Sequence, residues 1–395
     1  MFSSVPPFVS MKQVRYGDKD TKYTYSIYNL ESEYIPNVDM RNRIWRSVIF
    51  SECNRLLAVA PAKSVPNDNF LSNVMVGDGS DQIIVNEIIE GTMINLFWDT
   101  NFDRWEIATK RSIGGKYFFF RNKYDAELDE PEQKQFREMF LEAFVPLNDL
   151  PFDKSYCYSF VLQHPSNHIV LRVEKPAVYL VMTYKLGEEV KYVNPKLHTD
   201  YDKFRKMGVK FPRDFCYMPI GASFDELFVE NTNMVWDKIP PLDQIMSDPL
   251  NKFTSVGVMI TDQKTGLRTK YYNKKYLEVK SLRGNNPNLH YQYLMLRKID
   301  KVSEFLQYFP MYRQHFSKFL QHFQLFTERI HKLYWEVHVK KTLHVLNIPE
   351  KHDRFFVEKL HYDVFLPRHK ADAKFFITRK EVAKFLDGEK MMIPF

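Results

Sequence analysis

The residues best suited to phosphate chemistry fall in three stretches. Between Gln82 and Trp98, two apolar-rich runs flank a tight turn at Glu90-Gly91-Thr92, and a third run, Trp105 to Thr109, leads into Lys110-Arg111 and then Gly114-Gly115. Two cations after a strand and before two glycines could hold an anion against backbone amides, or simply end a strand in solvent. Upstream, Lys63 sits in the Pro-flanked turn Ala60-Pro-Ala-Lys-Ser64. Downstream, the stretch from Lys270 to Pro287 interleaves tyrosines with Lys270, Lys274, Lys275, Lys280 and Arg283. That pattern suits base stacking and phosphate contact, and equally an ordinary basic helix. The histidines do not point to a metal: His164, His168 and His198 are dispersed, and His331, His338 and His344 lack a ligand partner at metal spacing. Gly-x-Gly-x-x-Gly, P-loop and Gly-x-Ser-x-Gly motifs are absent.

The elements that would position these residues change type along the chain. Before residue 300, short β-branched and aromatic runs alternate with turn residues: Arg46 to Phe50, Gln82 to Asn86, Met93 to Trp98, Trp105 to Thr109, Tyr117 to Arg121, Cys157 to Gln163, His168 to Val173, Ala177 to Tyr184 and Val256 to Thr261. Runs of this length predict strands of antiparallel or mixed sheets, with one clear helix over Glu132 to Phe144. After residue 300, Phe305, Phe309, Phe316, Leu320, Phe323, Phe326, Ile330 and Leu333 recur at spacings of three, four and seven, which predicts helices parted at Pro310. Their polar faces carry many Lys, Arg and His, either as a solvated surface or as a phosphate-binding one. The expected architecture is α+β over residues 1–295 followed by an all-helical domain over 296–395.

Composition narrows the class. With 56 Lys+Arg against 49 Asp+Glu, the net charge of +7 permits a polyanionic partner but is far from that of a histone-like binder. The 33 Phe and 23 Tyr beside 13 Gly leave little material for glycine-rich phosphate loops and much for packed cores. Cys53, Cys157 and Cys216 are widely spaced, which argues against a disulfide framework or zinc cluster and fits a reducing compartment. No apolar run approaches the ~18 residues of a membrane span, and the first residues do not read as a signal peptide, so an intracellular protein without a membrane partner is expected.

The motif order resembles the RNA ligases of the covalent nucleotidyltransferase superfamily. Glu90-Gly-Thr stands where that family has Lys-x-Asp-Gly-Ser/Thr, and the run ending at Ala108-Thr109-Lys110-Arg111 resembles its Ala-Thr-Arg-Gly. Arg46-Ser-Val-Ile-Phe resembles Arg-Gly-Leu-Val-Phe, and Ala60-Pro-Ala-Lys-Ser64 resembles Arg-Pro-Phe-x-Lys. Downstream, Phe160-Val-Leu with Pro165-Ser-Asn-His-Ile-Val170 resembles Phe-Glu-Leu-x-x-Pro-x-Asn-Arg-Ile-Val. Val256-Gly-Val-Met-Ile resembles Glu-Gly-Phe-Val-Val, and Arg268 to Tyr276 resembles the closing Lys-x-Lys strand. The helical tail is similar to the C-terminal domain of phage-type tRNA-repair ligases.

In that family a lysine amine attacks the α-phosphorus of ATP or GTP beside a divalent metal. The resemblance puts Ile88 at the nucleophile position, Val161 and Val256 at two carboxylate positions, and Tyr272 at one of two phosphate-gripping lysines, with Lys270 kept as the other and Glu90 as the acidic partner. Isoleucine cannot form a phosphoramidate. Losing the lysine and the carboxylates together is physically coherent, because a buried carboxylate without its cation costs on the order of several kcal/mol. The resemblance therefore implies a ligase fold that has lost nucleotide transfer and binds RNA, tRNA-like or single-stranded, or a protein. Arg46, Lys63, Lys110, Arg111, Lys270, Lys274, Lys275 and Arg283 are the expected phosphate contacts, and no cofactor or metal is expected. Two alternatives stay open: an active ligase using ATP and Mg²⁺ with a displaced nucleophile such as Lys63, or a viral structural or assembly protein keeping only the fold. Degenerate ligase-like proteins occur in large DNA viruses of eukaryotes, which implies a viral protein located in the host cytoplasm, a viral factory or the virion.

Overall fold

The computed structural model describes residues 5–31, 40–66, 69–70, 82–117, 134–167, 169–219, 253–284, 286 and 288–388. Contacts divide the chain into two units, the first ending at Lys280 and the second taking up Ser281 onwards.

The first unit is built on three sheets whose ladders are all antiparallel. Strands β1 (Val9–Gly17), β2 (Lys22–Leu30), β3 (Val48–Ser51) and β4 (Leu56–Val59) form one sheet in chain order. A second uses β6 (Thr92–Asp99), β7 (Arg104–Ala108), β8 (Tyr156–Gln163), β9 (Ala177–Lys185) and β10 (Lys191–Val193) in the order β10-β9-β8-β6-β7. The third contains β5 (Gln82–Glu87), β11 (Asp214–Pro219), β12 (Gly257–Asp262) and β13 (Arg268–Tyr272) in the order β11-β5-β12-β13.

Helices α1 (Phe136–Ala143) and α2 (Tyr201–Lys206) close the main core of this unit. Their Phe136, Phe140 and Phe204 pack with Trp105, Phe152, Tyr158 and Phe160, where the excess of aromatic residues is absorbed. Tyr25, Ile27 and Ile49 of the first sheet meet Phe97, Ala108 and Cys157 of the second, so these two sheets share a further core. Buried acids at the junction are satisfied by tyrosines: Tyr25 donates to Asp99 over 2.6 Å and Tyr16 to Glu106 over 2.7 Å.

The second unit is helical. It contains α4 (Leu289–Lys298), α5 (Val302–Tyr308), α6 (Arg313–Tyr334), α7 (Lys351–Lys359), α8 (Leu366–Ala371) and α9 (Arg379–Gly388), with π-helical turns at Trp335–Val339 and Leu360–Phe365. A turn at Pro310–Tyr312 parts α5 from α6, as a proline without an N–H requires. Phe323, Phe326 and Ile330 of α6 pack with Phe356, Leu360 and Val382. Leu320, read as part of the apolar stripe, is instead exposed.

Two expectations change. The division between units falls within helix α3 (Lys274–Arg283), whereas residue 295 lies inside α4 (Leu289–Lys298). Residues 169–173 form no strand: the N–H groups of Val170 and Leu171 bond to a side chain instead of a ladder. Of the run Tyr117 to Arg121, residues 118–121 lie outside the described residues, as does His168.

Candidate functional site

The turn between β5 and β6 is pressed against β8. Gly91 has φ +154°, and a Cβ there would lie 2.3 Å from the Leu162 carbonyl oxygen and 2.7 Å from Val161 Cγ1, so only glycine fits. Gln163 and Asn167 pin the same turn: Gln163 Nε2 donates to the Glu90 carbonyl over 2.9 Å, and Asn167 Nδ2 to Thr92 Oγ1 over 2.8 Å. Ile88 extends the β5–β12 pairing by donating its N–H to the Gly257 carbonyl.

This turn borders a cavity of about 720 Å³ lined by residues of both the second and third sheets. Ile88, Val161 and Val256 all line it, Ile88 half-buried and the two valines buried. The three positions that the motif reading brought together in function are therefore together in space, and all are aliphatic.

Glu90 also borders the cavity, but its carboxylate is engaged. Oε1 accepts the Val170 and Leu171 N–H groups, each at 2.9 Å, and Oε2 accepts the Tyr276 hydroxyl at 2.7 Å. Burial, and next the charge of Glu90, hold that hydroxyl far above its usual titration range, so it remains a donor. Glu87 caps the Arg213 N–H at 2.9 Å. Among the described residues, no group of three His, Cys, Asp or Glu is placed to hold a metal ion.

The remaining wall is cationic. Seven Lys and Arg line the cavity among the described residues, against Glu31, Glu87 and Glu90. Arg46, Lys63, Lys110, Arg111 and Lys270 were singled out by motif. Arg268 was not, and the signal that identifies it is simple: in a strand, every second side chain faces the same way, so Arg268 and Tyr272 share the cavity face with Lys270. Tyr276 and Lys280, four apart on α3, add a second pair by helical spacing. The Tyr272 and Tyr276 rings stack with centroids 6.1 Å apart, and the ammonium groups of Lys270 and Lys280 lie 5.0 and 5.4 Å from the Tyr272 centroid.

Arg268 donates through Nε and Nη2 to the Ala62 carbonyl at 3.0 and 2.9 Å, and Arg46 donates through Nη1 to the adjacent Pro61 carbonyl at 3.5 Å. Burial, and then the charge of Arg46, pull the Arg268 guanidinium down to about 10. Arg46 is lowered by burial as well.

Other expected contacts lie elsewhere. Lys274 is exposed on α3 and does not line the cavity, and Lys275 pairs with Glu278 at 3.0 Å. Arg283 is buried in the helical unit, with Nη2 3.4 Å from the Tyr312 hydroxyl. The Gly114 amide is already used: it donates its N–H to the Ile107 carbonyl, and a Cβ at Gly114 would strike the Tyr16 ring at 2.4 Å. His164 bonds Glu142 at 3.0 Å through Nε2.

No family model matches the chain. Over 107 residues, 27% of this chain, it is 27% identical to a protein named RNA ligase from Rhodothermus phage RM378. Over that stretch the chain is similar to an RNA ligase. The matched stretch spans 24% of that relative's length. Among solved structures, the chain is similar to an archaeal ATP-dependent RNA ligase, at 12% identity and TM-score 0.38 over 77% of this chain and 67% of that one. It is also similar to a Naegleria gruberi RNA ligase variant with ATP and Mn, at 12% identity and TM-score 0.36 over 55% and 57% of the two chains. A putative ATP-dependent DNA ligase from Aquifex aeolicus gives 12% identity and TM-score 0.36 over 92% and 78%.

Proposed function

We propose that this RNA ligase-like protein binds RNA through the cationic cavity of its first unit and does not transfer nucleotides. One observation carries the reading: Ile88, Val161 and Val256 share one cavity in which the Glu90 carboxylate is engaged, and seven Lys and Arg line that cavity. Phosphoramidate formation needs an amine at the attacking position, and a catalytic Mg²⁺ needs uncommitted oxygen ligands. What the wall keeps is the ability to hold negative charge, and phosphates are the anions best matched to several Lys and Arg at once. The phage relative is consistent with a viral protein, and the host cytoplasm or a viral factory is the setting this reading assigns.

Incubation with ATP or GTP and Mg²⁺ or Mn²⁺, followed by intact mass measurement, is expected to give no nucleotide monophosphate adduct. Binding to tRNA-like and single-stranded RNA is expected to weaken steeply as salt rises. An adduct stable to alkali and absent from a lysine variant overturns the reading. Lys63 lines the cavity and is the lysine that a displaced-nucleophile ligase would use. RNA affinity that is absent, or flat across salt, would favour a structural or assembly role.

A further inference from the structure

A second cavity, of about 340 Å³, is lined wholly by residues of the helical unit. Its wall is made by Val337 and His338 of the first π-helical turn, Lys341 to Val345 after it, Glu358 of α7 and Tyr362 of the second π-helical turn. Such turns interrupt the regular helical register and recur at functional sites. Behind the cavity the rings form a column. His338 lies on His361 with centroids 3.8 Å apart and planes 4° apart, His361 on Phe365 at 5.2 Å and 19°, and Phe365 on His369 at 4.8 Å and 18°. Tyr334, tilted by 37° to His338 and 41° to His361, braces the column, its hydroxyl 3.2 Å from His361 Nδ1. Among the described residues the column ends at His338, which is itself part of the cavity wall, so a planar ring in the cavity would continue the stack. Two opposite charges face the same space: among the described residues, neither the Glu358 carboxylate nor the Lys341 ammonium forms an ion pair or a side-chain hydrogen bond.

We infer that the cavity between the two π-helical turns is a site for a single guanine base, stacked on His338 and held at its edge by Glu358 and Lys341. The ligand that fits has a flat face for the column, adjacent N–H donors for a carboxylate and an acceptor for an ammonium. Guanine has all three on one edge: N1–H and the N2 amino group suit the two carboxylate oxygens, and O6 suits the ammonium. Adenine and cytosine set one amino donor beside an acceptor nitrogen, and uracil has one N–H between two carbonyl oxygens, which a carboxylate repels. The inference concerns the helical unit alone, invokes no phosphate, and is independent of RNA binding by the first unit. A free guanosine and an unpaired guanine of an RNA strand carry the same edge.

The test uses the full chain and guanosine, which has no phosphate for the first unit to hold, read by calorimetry and saturation-transfer NMR. Guanosine is expected to bind, inosine, which lacks the N2 amino group, about tenfold more weakly, and uridine not detectably. E358Q keeps the side-chain size and loses one acceptor oxygen; it is expected to weaken guanosine by about tenfold, with an unchanged circular dichroism spectrum. H338A removes the stacking face and is expected to weaken it by about tenfold, and H338F, which restores a ring, to lose less. Glu358 is only half-buried, so E358Q decides the matter even where H338A fails to fold. K12A, on the exposed face of β1, serves as the control. Competition by a uridine-rich RNA with one guanosine, and not by the same RNA without it, would seat an RNA base in the cavity; competition by free guanosine nucleotides alone would seat a nucleotide there. No guanosine binding, equal binding by E358Q and the parent, or equal affinity for guanosine and uridine overturns the inference and leaves the reading of the first unit standing. Guanosine binding that E358Q weakens, with no salt-sensitive RNA affinity, overturns that reading and leaves this one.

Discussion

The Tyr276 hydroxyl donates to Glu90 Oε2 over 2.7 Å, joining residues 186 positions apart. Glu90 stands where an acidic partner of the nucleophilic lysine would be expected from motif order, and in this chain it is a structural tie. One carboxylate links the β5–β6 turn, the segment after β8 and the first turn of α3.

Removing one partner of this tie should cost stability. Y276F leaves a buried carboxylate oxygen without its donor and is expected to destabilise the first unit by about 1–3 kcal/mol, measured by urea unfolding. E90A should cost more, because it abandons three donors at once. A neutral result for Y276F would show that water replaces the hydroxyl.

Restoring the lysine alone should not restore transfer. I88K places an amine in the cavity, but Val161 and Val256 still offer no metal ligand and Glu90 stays engaged. Intact mass after incubation with ATP and Mn²⁺ is expected to be that of the unmodified variant. An adduct on the introduced amine would mean that other groups supply the metal.

Gly91 tolerates no side chain. G91A drives a Cβ into the Leu162 carbonyl at 2.3 Å and is expected to cost about 2 kcal/mol or more, or to prevent folding. G208A makes the comparison: its φ of +81° is strained, yet nothing lies within 4 Å, so a loss of about 1 kcal/mol is expected.

The helical unit should be acid-sensitive. Burial, and next a neighbouring histidine, push His290 and His338 down from 6.5 to about 4; His322 acts on the first, and His361, stacked 3.8 Å away, on the second. Both bind protons more weakly when folded than when unfolded. Their contribution is whole above 6.5 and is lost as pH falls towards 4. Hydrogen exchange of α6 amides across that range checks it, and H338Q should flatten part of the slope.

Much of this was legible in the chain itself. The β5–turn–β6 unit shows in its apolar runs and its Glu-Gly-Thr turn, β8, β9 and β12 in β-branched runs, and α6 in its phenylalanine spacing. Segment 169–173 misled because Ile169, Val170 and Leu171 have strand composition, while the carboxylate that takes the N–H bonds of Val170 and Leu171 lies about 80 residues upstream on Glu90. Arg268 was legible but missed: once Lys270 is placed on the cavity face of β13, the two-residue repeat of a strand puts Arg268 there too. Lys275 and Arg283 lie outside the cavity lining, beside Glu278 and Tyr312.

The third sheet has a kinetic consequence. Its strand β5 pairs with β11 and β12, Asn86 meeting Asp214 and Ile84 meeting Thr261, so both ladder partners of β5 are synthesised long after it. The β1–β2 and β3–β4 hairpins close locally and can form while the chain is still being made. The cavity floor has high contact order and closes last. During translation, β5 therefore waits as an unpaired apolar strand, and the nascent chain is most exposed to misassociation before β12 and β13 emerge.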